Sequence, residues 1–150
     1  MITREDMDYH LEKMQASTDE PSRYLWAETL YLPFVVPEQR LFGSIYTLAR
    51  PGLGVALSEI KVFRGMGRSR LDAAYSDNRQ QLPAPAEFSR FTLVNGVNVD
   101  LSEGPQRYRA RYQGFDDTRI ELQLDALMPP YDIHDPTMDP KARKTVNEQA

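Results

Sequence analysis

The sequence contains no cysteine, only two histidines and no long apolar run. Without cysteine there is no disulfide framework, no thiol nucleophile and no thiolate metal site, and nothing indicates secretion. The histidines, His10 and His134, lie far apart in the chain, so a histidine-rich metal site is not expected. No segment approaches the about 20 apolar residues of a membrane-spanning helix, and the acidic start does not resemble a signal peptide. We therefore predict a cytoplasmic protein without metal, cofactor or membrane span.

Clustered positive charge is also missing. The net charge is −4 and the pI is about 5.2, whereas nucleic-acid binding needs Lys and Arg gathered on one face. Arg107, Arg109 and Arg111 alternate along one predicted strand and suit either an acidic ligand or, as we favour, a solvated strand face. No phosphate-binding loop or nucleophile motif occurs, so the catalytic residues stay unknown and so does whether the chain is an enzyme.

A β-meander between residues 24 and 63 is the strongest pattern in the chain. Three runs rich in β-branched and aromatic residues are separated by short segments that begin with proline. We assume that Val36 pairs with Leu41 across the first turn and Arg50 with Val55 across the second. Because side chains alternate along a strand, this register assigns every residue of the meander to a face.

The first face carries Trp26, Glu28, Thr47 and Ser58. Small residues opposite a carboxylate and an indole can leave a cavity that contains one acid, which is a common design of apolar ligand sites. In such a cavity Glu28 would be a candidate general acid. The alternative, which we favour, is that Glu28 is solvated at a strand end or paired with an arginine.

The second face carries a cross-strand row of Tyr31, Tyr46 and Glu59. This row is a candidate ligand contact or, alternatively, an ordinary aromatic ladder with a charge at its rim. Both faces of the meander are largely apolar, whereas a sheet with one solvated face alternates polar and apolar residues more clearly. We therefore expect something to cover each face.

The remaining segments complete an all-β fold. Thr3 and Asp6 predict a short helix over about residues 4–16, residues 77–85 read as a loop, and Asn95-Gly96 predicts a hairpin with a type I′ turn. Seven or eight strands with little helix predict an antiparallel β-sandwich or a partly closed barrel. We predict an N-terminal helix or flexible segment over 1–20, a β-domain over 21–130, and a linker or disordered tail over 131–150.

The stretch WAETLYLPFVVPEQRLFGSIYTLARPGLG, followed later by GPQRYRARYQG and IELQLDALMPPYD, resembles the first half of the AttH-like and carotenoid-hydratase-like family. Trp26, Glu28, Pro37-Glu38 and Arg40 match its pattern best. The resemblance covers about residues 24–132. It implies a lipocalin-like β-domain, one of two in tandem, and a ligand class of apolar, terpenoid or polyketide-like molecules handled without a cofactor.

Two functions are consistent with these patterns. The first is a binding domain for an apolar small molecule, terpenoid, steroid or lipid-like, which is incomplete alone. The family's second half carries a Ser-Trp-Gly type motif, and Trp26 is the single tryptophan here, so we expect that second domain to be absent from this chain. The alternative is a structural or interaction domain without activity, which docks a separate second domain or self-associates as a homo-oligomer.

Overall fold

Eight antiparallel strands and a few short helical segments make up the computed structural model, which describes residues 2–16, 19–65, 69–132, 135 and 137–138. The prediction of an all-β antiparallel sandwich with a short N-terminal helix is confirmed. Within the described residues, no helix is long and apolar enough to cross a bilayer. The helices are α1 (Leu11–Gln15) and α2 (Glu20–Leu25), and the strands are β1 (Glu28–Val36), β2 (Leu41–Arg50), β3 (Val55–Arg64), β4 (Tyr75–Pro83), β5 (Arg90–Thr92), β6 (Val97–Asp100), β7 (Arg107–Gln113) and β8 (Arg119–Asp125).

The first sheet has the strand order β1-β2-β3-β4 and contains the predicted meander, although its first strand begins at Glu28 and not at residue 24, since residues 24 and 25 belong to α2. The assumed register is confirmed, because Val36 lies opposite Leu41 and Arg50 lies opposite Val55. Each turn is a short 3₁₀ segment, Pro37–Gln39 and Pro51–Leu53, that begins with proline. Proline suits this position because its fixed φ angle favours the start of a helical turn and no N–H is lost from the sheet.

The second sheet has the order β5-β6-β7-β8 and begins with the predicted hairpin. The hairpin is confirmed, but its turn is not type I′. That turn requires positive φ at both central residues, and only Gly96 of the Asn95-Gly96 pair has it, with φ of 92°. The Gly96 N–H donates to the Leu93 carbonyl and the Leu93 N–H donates to the Val97 carbonyl, so the loop is one residue longer.

The hydrophobic core lies between the inner faces of the two sheets. From the first sheet it takes residues of β1 to β3, and from the second it takes residues of the hairpin, of β7 and of the loop before β5. Because side chains alternate along each strand, every second residue reaches this interior. The most buried apolar members are Leu32, Ile45, Ala49, Ala56, Ile60, Phe88, Phe91, Leu93, Val97, Val99, Leu101, Ala110 and Tyr112.

Two local predictions were wrong. The predicted helix over about residues 4–16 is interrupted, because Glu5–Met7 is a 3₁₀ turn and α1 starts only at Leu11. Between them Asp8 accepts hydrogen bonds from a distant loop, and these tertiary contacts hold the chain out of the helix. Residues 77–85 are not a loop, since most of them belong to β4.

The residues of β4 explain that error. This strand is at the edge of the first sheet, so most of its polar side chains are exposed, and its one buried residue is Asp77, which contacts Tyr112 of β7. A polar edge strand therefore has the composition of a loop.

Helix α2 was missed as well, although Asp19 caps it by accepting from the Ser22 N–H at 3.2 Å and Pro21 occupies its first turn.

Candidate functional site

A cleft opens between the two sheets beside the edge strand β1, where the N-terminal segment crosses the sandwich. Its volume is about 310 Å³. Residues from β1, the N-terminal segment, β7 and the loops that flank β5 and β6 meet there, although they lie far apart in the sequence. The lining residues are Asp6, Met7, Asp8, Glu28, Thr29, Leu30, Tyr31, Leu32, Phe88, Leu101 and Tyr108.

Glu28, the first residue of β1, is the central polar group of this cleft. Its Oε1 accepts three hydrogen bonds: from Trp26 Nε1 at 2.9 Å, from the His10 backbone N–H at 3.0 Å and from His10 Nδ1 at 3.1 Å. Because a carboxylate oxygen only accepts, His10 carries its proton on Nδ1 in this contact. In the part of the chain that the structure describes, no group donates to Glu28 Oε2. The side chain is 15% exposed.

Asp8 and Tyr9 fix the N-terminal segment along one side of the cleft. Asp8 Oδ1 accepts from the Phe88 N–H at 2.6 Å and the Tyr9 N–H at 2.8 Å, and Oδ2 accepts from Ser89 Oγ at 3.2 Å. Burial raises the pKa of Asp8, but these hydrogen bonds outweigh it and the net pKa is lowered. Tyr9 donates to the Pro85 carbonyl at 2.9 Å, and burial together with the charge of Asp8 raises its pKa to about 12.

The charge of the cleft is negative. Asp6, Asp8 and Glu28 line it, and none of the lining residues that the structure describes is lysine or arginine. Hydrogen bonds from the backbone and side chain of Thr3 hold the pKa of Asp6 below its usual range. His10 lies next to the cleft, with its Nε2 3.7 Å from Asp6 Oδ1.

Thr47 and Ser58, two of the predicted binding residues, lie elsewhere. They face each other across β2 and β3 and are completely buried between the sheets, outside the lining of the cleft. Ser58 Oγ accepts from Asn95 Nδ2 at 3.0 Å, whereas Thr47 Oγ1 has no hydrogen-bond partner among the residues that the structure describes. The structure therefore brings Trp26 and Glu28 together but separates them from this pair.

Tyr31, Tyr46 and Glu59 form the expected cross-strand row on the outer face of the first sheet. The two tyrosine rings are 6.4 Å apart, and Glu59 lies opposite Tyr46. Glu59 forms an ion pair with Lys61 at 2.7 Å and accepts from Asn78 Nδ2 at 3.1 Å. Of this row, Tyr31 alone also borders the cleft.

The arginine row of β7 is neutralised by neighbouring carboxylates. Arg107 is paired with Asp125 of β8, and Arg111 is paired with Glu121 of β8 at 3.1 Å. Arg109 pairs with Glu103 from the preceding loop. Opposite charges across a strand pair stabilise the pairing, so this row fits the solvated strand face that we favoured over an anion site.

A second acidic group, Asp77 of β4, was missed by sequence reasoning because its segment was read as a loop. Its Oδ1 accepts from Arg79 Nε and its Oδ2 from Tyr112 Oη, both at 2.8 Å, and the Tyr75 and Tyr112 hydroxyls hydrogen-bond to each other. Burial, with the hydrogen bonds from these neighbours, raises the pKa of Tyr112. Once a strand is assigned, the two-residue spacing of Tyr75 and Asp77 would have placed both on one face.

No group of three His, Cys, Asp or Glu side chains within the described residues could hold a metal ion. His134 lies outside the described residues.

Comparisons with curated proteins and with solved structures give no significant match to this chain. A family described as "Domain of unknown function (DUF7064)" matches residues 12–149. The match begins after residues 6–8, which line the cleft, and after His10, whose backbone N–H donates to Glu28. Because the match spans most of the 150 residues, the chain belongs to the DUF7064 family of domains.

Proposed function

We propose that this domain binds an apolar small molecule in the cleft beside β1. The observation that carries the proposal is the cleft itself: about 310 Å³, with seven apolar or aromatic side chains and the carboxylate of Glu28. Sites for small molecules are usually clefts of about 300–1,000 Å³ that combine apolar walls with a few placed polar groups. The apolar and aromatic wall consists of Met7, Leu30, Tyr31, Leu32, Phe88, Leu101 and Tyr108.

The size of the cleft restricts the ligand. Its volume lies at the lower end of the usual range, so a compact molecule of terpenoid, steroid-fragment or lipid-like character suits it better than a long carotenoid. The likeness to the first half of the AttH-like and carotenoid-hydratase-like family supports the same ligand class. We assign no reaction to this cleft.

Fluorescence of Trp26 tests the proposal, since its Nε1–H is bonded to Glu28 at the cleft. Titration with compact terpenoids should shift or quench the emission. Leu30→Phe, which fills the cleft, should abolish the response, whereas Leu57→Phe adds the same bulk in β3 on the outer face of the sheet and should leave it unchanged. If Trp26 emission does not change with any ligand in a broad apolar panel, the proposal is contradicted.

The outer face of the first sheet supports a second candidate function, docking of another β-domain. Tyr31, Val35 and Phe42 are exposed there, and Phe42 stacks on Phe63 at 4.9 Å. A contiguous apolar patch on a surface marks an interaction site. Pro33 in the middle of β1 lacks an N–H, so docking through the face is favoured over pairing at the edge.

Sedimentation with an apolar dye tests this second candidate. The chain should bind the dye or self-associate, and Val35→Lys should reduce both effects. Thr92→Lys, at an exposed position of the second sheet, adds the same charge away from the patch and should have no effect. A monomer that binds no dye would rule out docking through this face.

A further inference from the structure

The hydrogen bonds of Glu28 are strongly asymmetric, and this asymmetry bears on the ligand of the proposed cleft. Its Oε1 holds three donors from Trp26 and His10, whereas Oε2 has none in the described part of the chain. Three donors on one oxygen fix the orientation of the carboxylate. The other oxygen is therefore held in place, without a protein partner, in a residue that lines the cleft.

The surroundings determine which donor suits that oxygen. Asp6 and Asp8 line the same cleft, and their hydrogen bonds lower both pKa values, so both are ionised near neutral pH. Among the described residues, no lysine or arginine lines the cleft. A ligand carboxylate or phosphate would therefore be repelled, while a cation would be attracted.

The walls determine the rest of the ligand. Leu30, Leu32, Phe88 and Tyr108 provide apolar and aromatic surface close to Glu28. An ammonium nitrogen can donate a charge-assisted hydrogen bond to a carboxylate while its hydrocarbon part lies on such walls. Aromatic faces add attraction for a cation.

We infer that the cleft binds compact apolar molecules that carry a protonated amine, with the ammonium group donating to Glu28 Oε2. This inference rests on the proposed function of the cleft and specifies its ligand class. Apolar alcohols would bind through the walls alone and more weakly, and fatty or terpenoid acids would be the poorest ligands.

Isothermal titration calorimetry with three matched probes tests the inference on the full chain. The probes are 2-cyclohexylethylamine, 2-cyclohexylethanol and 3-cyclohexylpropanoate, which share one apolar body and differ in the head group. The amine should bind about tenfold or more tightly than the alcohol, because hydrogen bonds between charged groups exceed neutral ones by about 1.4 kcal/mol or more. The acid should bind most weakly.

Glu28→Gln provides the matched variant. It keeps the shape of the side chain and a carbonyl oxygen for Trp26 and His10, but removes the charge. The variant should lose the preference for the amine, while Glu38→Gln, which makes the same change in the exposed turn at the other end of β1, should retain it. Circular dichroism checks that both variants fold, and the comparison of probes on the unaltered chain needs no variant.

The outcomes separate the two proposals. Tighter binding of the amine that is lost in Glu28→Gln supports the inference. Equal binding of amine and alcohol, or an amine preference that survives in Glu28→Gln, overturns it while leaving the apolar cleft in place. If none of the three probes binds, the proposed function fails and the inference fails with it.

Discussion

Two carboxylates that face the interior, Asp77 and Glu28, differ in how completely the protein satisfies them. Asp77 has a partner on each oxygen, Arg79 on one and Tyr112 on the other, and its side chain is 4% exposed. Glu28 has three donors on one oxygen and none from the described residues on the other, and it borders a cleft.

The comparison indicates how a buried acid can be assigned a role. A carboxylate whose oxygens are both bonded by the protein has little capacity for a ligand, and removing it leaves buried donors without partners. A carboxylate that is fixed on one side and free on the other is oriented for a donor from outside. We therefore expect Asp77 to contribute mainly to stability and Glu28 mainly to binding.

Asp77→Ala should produce the largest effect. It removes the acceptor of the Tyr112 hydroxyl in the buried space between the sheets, and the free energy of unfolding should fall by about 3 kcal/mol. Urea denaturation followed by circular dichroism measures the change, with Glu38→Ala as the exposed control. A loss below about 1 kcal/mol would show that the network around Asp77 does not stabilise the fold.

His10→Ala should have a smaller effect on global stability, about 1 kcal/mol, because it removes one side-chain hydrogen bond to Glu28 and leaves the backbone N–H bond. Its main consequence should be local. Amide hydrogen exchange of residues 6–10 should accelerate, while exchange in β2 and β6 stays as in the unaltered chain. Uniform acceleration throughout both sheets would mean that the N-terminal segment is part of the global folding unit.

Tyr9 gives the smallest expected effect, which depends on pH. Its pKa rises from about 10 in the unfolded chain to about 12 in the fold, so its contribution to stability is full below pH 10 and is lost as pH rises towards 12. Because Tyr9 is only half buried, we expect a loss of ~0.5 kcal/mol over this interval. Tyr9→Phe should remove that part of the pH dependence of the unfolding free energy. Urea denaturation at pH 9.5 and at pH 11 measures this free energy, and an equal loss between the two pH values in Tyr9→Phe and in the unaltered chain would contradict the prediction.

The sequence predicted best where its signals are local. The register of β1 to β3 was predicted from the turns that begin with proline and from the alternation of side chains between the two faces of a strand. This alternation and the length of a turn together determine which residues lie opposite each other. Trp26 and Glu28 were singled out because a strand would put them on one face, but Trp26 directly follows α2 and its indole reaches Glu28 from outside β1. The prediction failed for β4, whose polar composition reflects its place at the sheet edge.

The fold class and the strand pairing of the meander follow from patterns within short segments, because hydrophobic alternation and turn chemistry act over a few residues. The cleft does not follow from any such pattern. Its residues come from the N-terminal segment, β1, β7 and the loops around β5 and β6, and contacts over such separations depend on how the two sheets pack. The same packing leaves one oxygen of Glu28 without a donor among the described residues and gives both oxygens of Asp77 a partner. Local sequence determines that these are acids on strands, and only the tertiary contacts decide which one is available to a ligand.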